Sequence, residues 1–152
     1  MLKTNSVVSH FVPLVNDTCS FGCNHRETIS ELYWGCPLVN QFWNNVKNFF
    51  LLKQLLPAHY TKLTVLFGIH DQTPDSVENI LIMVAKRYIW QEKFRNLNPT
   101  FIAFAKYLLN FLETMKIVSI IKNKEGEFYG QWGTIIDTLS DRIEDEPHRV
   151  EE

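Results

Sequence analysis

The chain has 152 residues, 45% hydrophobic, 13% aromatic and 21% charged, with a net charge of −2 and only six glycines and six prolines. That composition excludes a disordered polyelectrolyte and a fibrous repeat, and the length suits one domain with a single buried core. No run of about 18 uncharged apolar residues exists to cross a bilayer, and the opening Met1–His10 stretch lacks the apolar core of a secretory signal, so no membrane partner is expected.

In chain order, residues 1–18 are mixed, carry Pro13 and read as a loose N-terminal segment. Residues 19–56 combine a turn-rich, cysteine-punctuated stretch with a first helix. Val39, Phe42, Trp43, Val46, Phe49 and Phe50 recur at helical spacing, Pro37 suits the first turn, and Pro57 cannot continue the helix. Residues 57–140 form a helical C-terminal region. Within it Leu63–Phe67, closed by Gly68, reads equally as a strand or a buried connector. A second helix is predicted through Val77, Ile80, Leu81, Val84, Ala85, Tyr88 and Ile89, capped by Thr73 or Asp75, with Glu78 in its first turn. A third follows Asn98-Pro99 through Phe101, Phe104, Ala105, Leu108, Leu109, Leu112 and Met115, and Phe128–Leu139 suggests a short fourth. Residues 141–152 read as a frayed acidic tail. The fold class expected is mainly α, a small cysteine-rich turn module followed by three to four packed helices.

The charge is unevenly spread. Residues 86–124 carry eight bases against Glu92 and Glu113, a balance of +6, while residues 125–152 carry two arginines against nine acids, a balance of −7. Lys86, Arg87, Lys93, Arg95 and Lys106 would converge if the second and third helices made a hairpin, and such a patch suits phosphates. The same bases equally suit ordinary helix C-termini. Trp43 and Tyr88 fall on apolar stripes and are expected in the core; Tyr33 and Trp34 are expected to pack near the cysteines.

Three cysteines, an odd number, give no disulfide framework and point to a reducing compartment, nucleus or cytoplasm. Cys19-Ser20-Phe21-Gly22-Cys23 sets two thiols on one turn, with Gly22 free to take a positive φ. Cys36 follows at the head of the first helix. Two close thiolates and a distant one on a helix are how small zinc modules are built, and a closed site needs four ligands. Here the fourth is either Glu31, five residues before Cys36, or His25, two after Cys23. The alternative is three buried free cysteines. No orienting third group accompanies a Cys–His pair, and neither a phosphate-cradling glycine loop nor a dinucleotide fingerprint is present, so no enzyme and no small-molecule substrate are expected.

The segment Cys19-Ser20-Phe21-Gly22-Cys23, then Glu27-Thr28, then Leu32-Tyr33-Trp34-Gly35-Cys36-Pro37 and Phe42-Trp43 resembles the zinc-binding region at the C-terminus of non-LTR (LINE-type) retrotransposon reverse transcriptases. The family has a histidine where this chain has Glu31. Ile89-Trp90, Asn98-Pro99-Thr100-Phe101, Phe104 and Trp132 resemble the tail that follows the motif. The resemblance implies a fragment without polymerase or endonuclease residues, a zinc ion on Cys19, Cys23, Cys36 and Glu31 (or His25), and weak, non-specific contact with RNA or DNA through Lys86, Arg87, Lys93, Arg95 and Lys106. A metal-free helical interaction module, its cysteines merely buried, is the rival expectation.

Overall fold

The computed structural model describes residues 4–11, 16–57 and 60–146. Six α-helices are found among them: α1 (Asn5–Val8), α2 (Pro37–Leu52), α3 (Lys62–Phe67), α4 (Val77–Arg95), α5 (Phe101–Ile121) and α6 (Glu125–Glu144). A five-residue π-turn spans Glu31–Gly35 just ahead of α2, and an isolated antiparallel bridge joins Thr18 to Arg26. The chain is mainly α, as its sequence suggests. It divides into two compact units, Met1–Thr100 and Phe101–Glu152.

The first unit wraps α2 and the π-turn with α3 and α4. Its core is aromatic: Tyr33, Phe42, Trp43, Phe50 and Tyr88 are all buried, with Leu32, Val39, Val46, Leu81, Val84 and Ile89 between them. Phe42 meets Trp43 edge-on at 5.5 Å and Tyr88 at 5.6 Å, and Trp43 meets Tyr60 at 5.7 Å. Such pairs add about 0.5–1.5 kcal/mol beyond the area they bury.

Several sequence expectations change here. Leu63–Phe67 lies in helix α3, because Thr61 and Thr64 form a reciprocal capping box ahead of it and Gly68, at φ 85°, ends it. That local bonding outweighs the strand preference of Thr64 and Val65. Helix α4 is capped by Ser76, whose side chain accepts the Asn79 N–H, and neither Thr73 nor Asp75 takes that role. Thr73 lies in the turn before it, where its carbonyl accepts from Ser76 N–H and Asn79 Nδ2. Asn96 closes α4 in the left-handed region.

The N-terminal residues are tied down where they are described. Asn5 Nδ2 donates to the Thr18 carbonyl at 2.9 Å, and Thr4 and Ser6 are buried. The expected looseness of residues 1–3 and 12–15 lies outside the described residues.

In the second unit α5 and α6 pack as an antiparallel hairpin about the turn at Lys122–Lys124, with Lys116 near the end of α5 set over the Tyr129 ring near the start of α6. Phe104, Ala105, Leu108 and Leu112 are its buried residues on α5; Phe128, Trp132, Ile135 and Leu139 are those on α6. Helix α6 is longer than the Phe128–Leu139 expected. It begins at Glu125 because two acids, Glu125 and Glu127, sit where the helix dipole favours them, and it runs to Glu144, into the stretch expected to fray. The tail beyond Glu146 lies outside the described residues.

Candidate metal centre

The cysteine turn is built by local bonds. Cys19 N–H donates to the His25 carbonyl at 2.8 Å and Gly22 N–H to the Cys19 carbonyl at 3.1 Å, with Gly22 at φ +82° and Asn24 at φ 65°. Phe21 N–H points back at Cys19 Sγ, 3.4 Å away. These turns fold Cys19 and Cys23 onto one side of the chain.

The π-turn brings the other two groups. Its defining bond, Cys36 N–H to the Glu31 carbonyl at 2.9 Å, spans five residues and widens the helix by one. Cys36 then takes the N-cap position of α2, ahead of the first-turn N–H groups of Leu38 and Val39. Trp43 fixes the assembly by donating its indole N–H to the Tyr33 carbonyl at 2.7 Å.

As a result the sulfurs of Cys19, Cys23 and Cys36 and a carboxylate oxygen of Glu31 all lie within 4.8 Å of one another. Cys19 and Cys36 are buried, their sulfurs 3.8 Å apart. The Cys23 thiol donates to Glu31 Oε1 at 2.9 Å. The second oxygen, Oε2, is buried with no hydrogen-bond partner among the described residues. An orphaned buried carboxylate oxygen beside three thiols is a donor set that fits a metal ion. His25 stands outside the group. It is exposed, with Nδ1 3.4 Å from Cys23 Sγ.

The thiols share protons unequally. The bond to Cys36 and then burial push the Cys19 thiol well above its ordinary value, while burial and the Glu31 contact push Cys23 up to about 11. Cys36 is held below its ordinary value, first by Cys19's thiol and then, against burial, by the two α2 N–H groups. Loading a metal on this cluster therefore displaces protons from Cys19 and Cys23.

A second polar centre braces the first. Glu27, fully buried, accepts from Asn5 N–H and from Lys93 Nζ (2.5 Å) on Oε1, and from Ser20 N–H and Ser20 Oγ on Oε2. Burial pushes this carboxyl up, but the Lys93, Ser20 and Asn5 bonds together outweigh it and hold it below its ordinary value. Ser20 sits between the two knuckle residues Cys19 and Phe21, so Glu27 clamps the cysteine turn to α1 and α4. Nothing local in the sequence marks this clamp, because Glu27 and Lys93 lie 66 positions apart.

The clamp alters the expected nucleic-acid patch. Lys93 is buried on Glu27, and half-buried Lys86 donates to the Leu66 carbonyl at 3.1 Å beneath the Tyr33 ring. Arg95 pairs with buried Glu92 at 3.1 Å yet keeps its side chain largely exposed. Arg87 is exposed on α4, and Lys106 is exposed on α5 in the other unit. Lys93 and Lys86 are thus engaged within the first unit, and Arg87 and Arg95 are the bases that α4 leaves exposed. Tyr33 is buried and Trp34 half-buried, both within the π-turn that separates Glu31 from Cys36.

Comparison with known protein families, with curated proteins and with solved structures finds no match. No described helix is long and apolar enough to cross a membrane.

Proposed function

We propose that the cluster is a structural zinc site, and that the chain is the non-catalytic, nucleic-acid-contacting C-terminal segment of a LINE-type reverse transcriptase. The observation that carries the zinc reading is the convergence of three sulfurs and one carboxylate within 4.8 Å. Sulfurs held tetrahedrally at about 2.3 Å from zinc stand roughly 3.8 Å apart, and the Cys19–Cys36 pair is 3.8 Å apart. Cys19, Cys23, Cys36 and Glu31 would hold the ion, which would supply a cross-link between the cysteine turn and the head of α2. Glu31 stands where the resembling family has histidine, and a carboxylate is a harder partner for a metal bound by thiolates.

Phosphate contact would rest on Arg87, Arg95 and Lys106, the exposed members of the basic set. The rival reading, a metal-free helical interaction module, draws on Ile117, Val118, Ile120 and Ile121, which stand exposed along the end of α5.

Metal analysis of the purified chain tests the proposal. One zinc per chain is expected, lost in Cys36→Ser, with tighter retention against a chelator in Glu31→His. A metal-free protein whose Glu31→His variant also takes up no zinc would leave the interaction module as the better reading.

A further inference from the structure

We propose that Cys19 and Cys36 form an oxidisable dithiol, which a peroxide converts to a disulfide at the expense of the bound metal. The metal-ejection half rests on the zinc reading above; the disulfide half does not.

Three observations place the reaction on this pair. The two sulfurs are in direct contact at 3.8 Å, while the Cys23 sulfur is engaged by Glu31 Oε1 at 2.9 Å and His25 Nδ1 at 3.4 Å. Cys19 belongs to the cysteine turn and Cys36 holds the N-cap position of α2, so a bond between the two sulfurs would join the same two segments that the proposed metal would hold. The cluster also meets solvent at Cys23, the one half-exposed thiol of the three, which gives a small oxidant an approach.

The step balances with hydrogen peroxide as oxidant. One of the two sulfurs attacks one peroxide oxygen, the O–O bond breaks, and the other oxygen leaves as water, giving a sulfenic acid on that cysteine. The other sulfur, in contact, then attacks it; the S–S bond forms and the sulfenic oxygen departs as a second water, the protons coming from the two thiols or, where the metal had displaced them, from solvent. Two thiols lose two electrons and one peroxide becomes two waters. Only Cys23 and Glu31 then remain of the four donors, too few for a closed tetrahedral site. The covalent link replaces the ionic one between the same two segments, so the turn stays joined to α2 without its metal.

The test is a peroxide titration of the full chain, with zinc release followed by a chromogenic chelator, free thiols counted, and disulfides mapped by non-reducing peptide mass spectrometry. The expected result is a loss of two of the three free thiols in step with zinc release, a Cys19–Cys36 linked peptide, and recovery with dithiothreitol. Cys23→Ser should give the same linked peptide, and Cys19→Ser should give none. Dominant pairing through Cys23, or oxidation confined to a single sulfinic acid, overturns the proposal in the wild-type protein alone. A chain that takes up no zinc, as wild type or as Glu31→His, yet forms the Cys19–Cys36 link removes the zinc reading and keeps the dithiol; a zinc-loaded protein that never forms it does the reverse.

Discussion

Met1–Thr100 is held by polar bonds that leap along the sequence, whereas the hairpin of Phe101–Glu152 relies on apolar side chains spaced along two neighbouring helices. In the first unit Lys93 reaches Glu27 across 66 positions, Asn5 reaches Thr18 and Ser20, and Trp43 reaches back to the Tyr33 carbonyl. In the second, the hydroxyls of Thr114, Ser119, Thr138 and Ser140 return to carbonyls of their own helices. Turns without regular structure need named partners for each backbone group, while a helical hairpin satisfies its backbone internally and needs only a stripe of leucines and aromatics. The first unit should therefore fail abruptly when one clamp is cut, and the second should lose stability in proportion to the side-chain volume removed.

The largest effect is expected at the proposed metal site. Chelation, or Cys36→Ser, should collapse the near-ultraviolet signal of Trp43 and Tyr33 and unfold the cysteine turn. Most of the far-ultraviolet helical signal of α5 and α6 should survive. A chain that melts as one unit after chelation would break the contrast.

The next is the Glu27 clamp. Glu27→Ala takes the carboxylate away from the buried Lys93 ammonium, which costs about 3–5 kcal/mol; urea unfolding should register it, and pairing the change with Lys93→Met should recover much of the loss. Because the folded Glu27 carboxyl lies below its unfolded value, near 4.3, the clamp's contribution is whole above that pH and is lost as pH falls through the folded value. The stability gap between wild type and Glu27→Gln should accordingly narrow in acid and stay constant from pH 6 to 8, a range roughly two units above the unfolded value.

Smaller is Leu108→Ala in the second unit. Leu108 is fully buried, and truncating such a leucine costs about 2–4 kcal/mol. Calorimetry should show the α5–α6 transition move down while metal retention stays unchanged. Smallest is Ser76→Ala, which removes the bond to Asn79 N–H and should cost about 1 kcal/mol, as lost helix caps do.

The contrast also explains what the sequence made legible. Helix α5 is announced by Asn98-Pro99 and by Phe104, Leu108 and Leu112 at helical spacing, and α2 by Pro37 and its aromatic stripe; both signals are local. The cysteine cluster is nearly as plain, because Gly22 and the spacing to Cys36 act over 17 residues. The Glu27–Lys93 pair could not be read from either residue, since a lysine among bases on an amphipathic helix looks solvated until its helix is folded onto an acid 66 positions earlier. Likewise Lys86 looked like a surface base, and only the placing of α3 supplies the Leu66 carbonyl that holds it. Helix α3 itself was obscured because its capping box is made of two threonines, residues that also favour strands.

The π-turn carries a consequence for how this segment can vary. Glu31 and Cys36 stand at its two ends, joined by a bond that spans five positions instead of four. Deleting one residue between them would let an ordinary helix run through, rotating everything after the cut by about 100° relative to what precedes it. Cys36 would then turn away from Cys19 while every side chain of the cluster was still present. The stretch from Leu32 to Gly35 thus acts as a spacer by its count, besides filling the core with Leu32 and Tyr33. A point change at buried Leu32 or Tyr33 costs packing, but a gain or loss of a single codon puts the two halves of the centre out of phase.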